Sequence, residues 1–337
     1  MSAPQSYQML RESDPRVESF HSDVVAGTKT SFAVFAPKAG QGKLPVLLFQ
    51  SGHGSNMASQ THFLERIAAQ GFIVIAPDRS DDAACGPVGI VGFLSGCLCA
   101  ANAVDGSAFK LALEFAKSPE NKFRDRADMS KVAMGGFSMG AQEALAGQAR
   151  FGAQAMLYIS GSMMAPLANV LGWNPACYPC SGGSCFCCSD TPVSPCGQGE
   201  ALRQSTAPSL ILTCENDAVI AATHRQKDIL GERATLVTLK ESAIDLSAPV
   251  TRATTGWGPF LTLSCPGGPF HGMPRHFGII EDAGNVASDI TAAFLKQHLA
   301  GGKPLAASDK MLDGKLNTKA PTSICVPFPL FRSCFES

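Results

Sequence analysis

Short apolar runs alternate along the chain with longer stretches whose apolar positions recur at three and four residues. The runs Thr30–Phe35, Pro45–Phe49, Phe72–Ala76, Lys131–Gly135, Ala155–Ile159, Ser209–Thr213 and Thr235–Leu239 read as strands. Several are unbroken series of Val, Ile and Leu, the pattern of strands covered by helices on both faces of a parallel sheet. The helical period predicts helices over Ser59–Gln70, Gly106–Ser118, Met139–Ala149, Ala222–Leu230 and Asn285–Leu299. In the first of these, Phe63, Leu64, Ile67 and Ala68 make one apolar stripe. Alternation of this kind predicts a single doubly wound α/β domain over residues 1–300, with a mostly parallel sheet, rather than two separate units.

Two segments interrupt the rhythm. Residues 165–205 are rich in Gly and Pro, and residues 241–275 form a second irregular stretch around Trp257. Both follow the carboxyl ends of expected strands, where ligands bind in such sheets. Loops of this length inside a compact domain are usually functional, so both are expected to shape the mouth of a site. Residues 301–337 form a tail, mostly polar up to an apolar end between Cys325 and Cys334. No internal repeat is present.

Composition narrows the class. Apolar residues make up 45% and charged residues only 16%, against about 25% charged in an average soluble protein. That balance excludes a disordered chain. With 27 basic and 28 acidic residues the net charge is −1, which argues against a protein that lives on phosphate contacts. Six of the 13 cysteines (Cys177, Cys180, Cys185, Cys187, Cys188 and Cys196) crowd into the first irregular stretch. An even-numbered cluster among Gly, Ser and Pro reads as a disulfide-stapled insertion made in an extracellular or other oxidising compartment. The spacings Cys177-x-x-Cys180 and Cys185-x-Cys187-Cys188 leave a zinc-binding insert as the alternative. The N-terminus shows no basic-then-apolar leader. Residues 85–104 carry no charge over 20 positions, long enough to span a bilayer. Their four Gly, one Pro, Ser95 and Asn102 favour a partly buried loop and short helix lining a pocket over a membrane-touching flap.

The chemistry centres on Gly136-Phe137-Ser138-Met139-Gly140, a G-x-S-x-G sequence between an expected strand and an expected helix. On such an elbow the Ser138 hydroxyl projects from the strand end, and the helix N-terminus offers N–H groups to a developing oxyanion. A serine nucleophile needs a base, and the base needs an orienting acid, here expected in the chain order Ser, acid, His. Cys214-Glu215-Asn216-Asp217 follows the strand Ser209–Thr213. Asp217 is preferred to Glu215 because it lies further round the loop, just before the next helix, where an N-cap is the competing role. The base belongs before the last helix, where both His271 and His276 stand, His276 being nearer that helix. His21, His53, His62, His224 and His298 are expected to be solvated or structural. Met139 would give one oxyanion N–H, and the backbone of His53, in Ser51-Gly52-His53-Gly54, the other.

Taken with Ala68-Ala69-Gln70-Gly71-Phe72-Ile73-Val74-Ile75, Pro208–Asp217 (PSLILTCEND) and His276-Phe277, the elbow sequence resembles the α/β-hydrolase superfamily. Within it the chain is most similar to the bacterial cutinases, poly(ethylene terephthalate) hydrolases and chlorophyllase-like enzymes. The resemblance spans the core two thirds of the chain, and PSLILTCEND is its most specific part. It implies Ser138 as nucleophile, Asp217 as acid, His276 rather than His271 as base, and His53 and Met139 as oxyanion donors. The partner expected is a small-molecule, lipid or polymer ester, with contact to a membrane surface as an option and with no cofactor, no metal, no nucleic acid and a monomeric state. Polyester-degrading members carry an aromatic residue in the oxyanion loop and a Trp after the next strand, where this chain has His53 and Met163. They also pair a cysteine just after the base with one in the acid loop. Here Phe277 and Gly278 follow His276, so Cys214 would need Cys265 or another partner. The expectation is a serine carboxylic-ester hydrolase acting on a neutral, fairly apolar ester. A chlorophyllase-like activity on a large hydrophobic ester and a non-catalytic binding protein on a hydrolase scaffold are the alternatives.

Overall fold

The computed structural model describes residues 13–25, 28, 30–40, 42–52, 60–78, 106–137, 139–161, 198–214, 220–239 and 283–305. Within them eight strands form one sheet: β1 (Val17–His21), β2 (Ser31–Pro37), β3 (Leu44–Gln50), β4 (Ile73–Asp78), β5 (Ala127–Phe137), β6 (Ala155–Ile159), β7 (Ser209–Cys214) and β8 (Ala234–Leu239). Their order is β1-β2-β4-β3-β5-β6-β7-β8. β2 is antiparallel to both β1 and β4, and every other neighbouring pair is parallel. The helices are α1 (Thr61–Ala69), α2 (Ser107–Lys117), α3 (Met139–Phe151), α4 (Gln198–Gln204), α5 (Ile220–Leu230) and α6 (Ala283–Leu299). The α/β class and the mostly parallel sheet are those expected from the apolar pattern.

Alternation along each strand divides the core in two. In β3, Leu47 and Phe49 face α1 and α6, where Phe63, Leu64, Ile67, Ile290 and Phe294 pack against them. Val46 and Leu48 belong to the opposite face, with Phe109 of α2, Leu145 of α3, Ala201 of α4 and Leu230 of α5. Each such Leu, Ile or Phe contributes roughly 1.5–3 kcal/mol by leaving water. Burial on both faces explains why these strands are continuous apolar runs rather than alternating ones. The stripe of α1 is the one read from the sequence, with Phe63, Leu64, Ile67 and Ala68 all buried. The helix stops at Gly71, whose φ of +105° lets the Gly71 and Phe72 N–H groups both donate to the Ala68 carbonyl.

Two elements carry too little pattern to be seen in advance. In β1 only Val17 is buried, because the strand lies on the sheet edge with most of its side chains toward water. Helix α4 has seven residues, too few to display a stripe, and occupies the end of the irregular stretch 165–205. β5 also begins earlier than expected, at Ala127 rather than Lys131, across a register shift against β3 between Pro45 and Val46.

A polar seam joins α1 to α6. Gln70 Nε2 donates to Asp289 Oδ1 at 2.8 Å, Lys296 Nζ donates to Gln70 Oε1 at 3.3 Å, and Arg66 Nε donates to Ser288 Oγ at 3.2 Å. The neighbouring Glu65 is 1% exposed and accepts the Asp14 N–H at 3.2 Å. Burial pushes its carboxyl above the usual range, against the hydrogen bonds from Asp14 N–H and Ser13 that favour the charge. Asp14 is shifted the other way by the Arg16 guanidinium beside it. A carboxyl whose folded pKa is raised binds its proton more tightly when folded, so its contribution to stability declines as pH rises from the ordinary Glu value through the raised one. Glu65→Gln keeps an acceptor for Asp14 N–H and removes that loss. In urea unfolding, the stability of Glu65→Gln relative to wild type is expected to increase from about pH 4 to about pH 7.5. A difference that stays level or shrinks contradicts burial as the dominant influence.

Candidate active site

Strands β3, β5, β6 and β7 run parallel and end at one edge of the sheet. Gln50 of β3 stands opposite Gly136 of β5, Phe137 opposite Ile159 of β6, and Ile159 opposite Leu212 of β7. At one strand spacing each, the ends of β5 and β7 are about 10 Å apart. Between β5, which closes at Phe137, and α3, which opens at Met139, the chain has a single residue, Ser138.

Glycine makes this strand-to-helix turn possible through space rather than through an unusual backbone angle. A Cβ on Gly136 would collide with the Gly140 carbonyl and lie 2.7 Å from the Ala141 nitrogen. A Cβ on Gly140 would collide with the Gln50 carbonyl and lie 2.6 Å from the Ser51 oxygen. One on Gly135 would sit 2.7 Å from Leu157 Cβ. The first turn of α3 therefore folds back on β5 and rests on the backbone at the end of β3. The two glycines of G-x-S-x-G face different neighbours, and each contact excludes any other residue type.

A second contact point lies on the other side of the elbow. Ser160, just past β6, is buried with φ +44°, and its N–H donates to the Leu212 carbonyl at 2.8 Å. A non-glycine residue in this region is uncommon and carries a conformational cost, which the β6–β7 hydrogen bond helps to offset. Next to it, a Cβ on Gly161 would lie 3.1 Å from Ala141 Cβ and 3.4 Å from Gln226 Oε1. The end of β6, the first turn of α3 and helix α5 thus converge. Buried polar atoms gather in the elements of this edge: Gln50 Oε1, Gln142 Nε2, Thr213 Oγ1, His224 Nε2 and Gln226 Oε1 have no hydrogen-bond partner among the described residues. An unpaired buried group of this kind costs about 1–3 kcal/mol. Such groups are what a polar site needs close at hand.

Of the residues singled out from the sequence, Met139 is placed at the start of α3, so its N–H belongs to the unsatisfied first turn of a helix. Ser138, Asp217, His276, His271 and His53 lie outside the described residues, and the flanking elements bracket them. Gly52 follows β3 immediately before His53, Cys214 and Ile220 bound the segment that holds Asp217, and α6 begins after His276. Helix α6 packs on α1 and also touches β5, β6 and β7. The Cys177–Cys196 cluster, the uncharged stretch 85–104 and residues 241–275 are outside the described residues as well. Among the described residues no group of three or more His, Cys, Asp or Glu could hold a metal ion, and no helix is long and apolar enough to cross a membrane.

Three of the remaining histidines have clear surroundings. His21 is exposed on β1. Burial lowers the pKa of His224, with Asp228 opposing, and burial also lowers that of His298, whose ring lies 4.6 Å from Phe294. Both are thereby held toward the neutral form. Sequence reading passed over Gln50, Gln142, Glu143, Ser160 and Gln226. Their one distinguishing signal is burial of a polar group, which no local pattern announces. No family model matches this chain, and no curated protein matches it.

The two glycine contacts differ in severity, and that sets a test. Gly140→Ala drives a Cβ into backbone that cannot move without displacing β3, and is expected to cost more than about 3 kcal/mol or to prevent folding. Gly161→Ala meets the Ala141 methyl at 3.1 Å, a contact that a small shift relieves, and is expected to cost under about 1.5 kcal/mol. Urea denaturation of the pair checks the ranking, and equal losses would contradict the tight seat of the elbow on β3.

Proposed function

We propose that this protein is a serine carboxylic-ester hydrolase built on the α/β-hydrolase fold. The observation that carries the reading is the seat of the elbow. The turn between β5 and α3 holds one residue, Ser138, and Gly140 brings α3 onto the end of β3 with no room for a side chain. In a nucleophile elbow the oxyanion is held by the N–H after the nucleophile and by an N–H from the loop after the third strand. Direct contact between these two backbone segments is the condition for such donors to converge. The acid, base and nucleophile also fall in the required order: Ser138 after β5, Asp217 after β7 and His276 before α6.

The chemistry follows from those positions. Ser138 Oγ attacks the ester carbonyl while the His276 imidazole removes its proton. Asp217 holds the imidazole in the tautomer whose free nitrogen faces Ser138 and stabilises the imidazolium that forms. An imidazole with a hydrogen bond at each end spans about 8 Å, which suits strand ends about 10 Å apart. The tetrahedral oxyanion is met by the N–H of Met139 and a backbone N–H at His53, reinforced by the positive end of α3. His276 then protonates the leaving alcohol, and water releases the acyl group by the same steps in reverse. The substrate is a neutral, fairly apolar ester, because the segments that the sequence alone suggests for the mouth (Gly86–Ala101, Met163–Leu171 and Phe260–Met273) carry few charges.

Hydrolysis of p-nitrophenyl butyrate by wild type beside Ser138→Ala tests the proposal. The variant is expected to lose about a thousandfold or more in kcat/KM with an unchanged melting temperature. A folded Ser138→Ala that still hydrolyses the ester within about tenfold of wild type contradicts it.

A further inference from the structure

We propose that Glu143 is a positioning residue: its buried carboxyl group fastens the elbow helix α3 to the first turn of α2, so that the two helices behave as one body. Its kinetic consequence rests on the esterase reading, whereas the fastening itself does not.

Helix α2 opens without a cap of its own. Gly106 stands at its N-cap with φ +80° and no side-chain cap bond, although the first N–H groups of a helix need acceptors. The acceptor comes from the neighbouring helix: Ala108 N–H donates to Glu143 Oε1 at 3.1 Å, with Glu143 4% exposed and Ala108 fully buried. A buried carboxylate requires donors, and the positive end of a helix supplies both donors and dipole. The backbones are pressed together at the same place. A Cβ on Gly106 would lie 2.9 Å from the Gly147 nitrogen, and one on Gly147 would lie 2.9 Å from the Phe109 side chain.

Gly140, Glu143 and Gly147 are spaced at three and four residues, so they share one face of α3. Along that face Gly140 seats the helix on the end of β3, while Glu143 and Gly147 seat it on α2. The N–H of Met139 begins this doubly held helix. Removing the Glu143 contact frees one side of the mount, and catalytic groups displaced by a fraction of an ångström lose rate rather than binding.

The test compares Glu143→Ala, Glu143→Gln and wild type in the full chain, by p-nitrophenyl butyrate kinetics and by amide hydrogen exchange. Glu143→Ala is expected to lower kcat between about tenfold and a hundredfold with KM changed less than about twofold. It is also expected to speed exchange in residues 107–112 of α2 and 139–146 of α3 together. Glu143→Gln, whose amide oxygen still accepts the Ala108 N–H, is expected to keep at least about half of wild-type kcat. Loosening of α2 alone with kcat within about twofold of wild type overturns the proposal. So does a folded Glu143→Gln as impaired as Glu143→Ala. If wild type neither hydrolyses the ester nor reacts with a serine-directed phosphonate, the esterase reading fails and exchange alone decides. Joint loosening of the two helices then upholds the fastening, and independent loosening overturns it.

Discussion

The contact between Gly140 and the backbone of Gln50 and Ser51 holds the first turn of α3 against the end of β3. It is a backbone-to-backbone contact, so it cannot be tuned by rotamers, and its tolerance is a fraction of an ångström. Gly136 adds the second half, since the turn back over β5 leaves no space for a Cβ there either. Once α3 is seated, its first turn lies beside the end of β3. On the proposed esterase reading, a turn held this tightly would keep the nucleophile and its oxyanion donors aligned without help from a flexible side chain, the form of preorganisation that lowers a reaction barrier.

The rest of the fold supports that seat from two sides. On one face, α1 and α6 pack over β3 and its neighbours, and the seam of Arg66, Gln70, Ser288, Asp289 and Lys296 fixes their relative height. On the other face, α2, α3, α4 and α5 share one apolar layer, into which Glu143 places a carboxyl group whose Oε1 accepts the Ala108 N–H at the start of α2. The two faces meet through the alternating side chains of β3 and β5. A change in either layer is therefore felt at the elbow.

Much of this was legible in the sequence because burial on both faces writes itself as long apolar runs. β6 matches the run Ala155–Ile159 without adjustment, and α1 buries the four residues of its stripe. β1 and α4 were not legible: one buried residue in an edge strand and a helix only seven residues long leave no period to detect. The elbow could be named from G-x-S-x-G, but the reason for each glycine could not, because the partner of Gly140 lies on a strand ninety residues away. The same holds for Glu143, which reads locally as one more polar helix position until α2 is folded against it. Ser160 gives no hint of its φ, which only pairing with β7 imposes. Ser138, Asp217 and His276 rest on order in the chain and on the elements that flank them.

The most direct measurement is a crystal structure of the protein after reaction with a p-nitrophenyl phosphonate, whose phosphorus mimics the tetrahedral intermediate. The phosphonyl group is predicted on Ser138 Oγ, with its free oxygen about 2.7–3.1 Å from the Met139 N–H and from a backbone N–H following β3. Phosphonate on a different residue, or a free oxygen turned away from the end of β3, would contradict the central claim that the seat of α3 on β3 makes the oxyanion site.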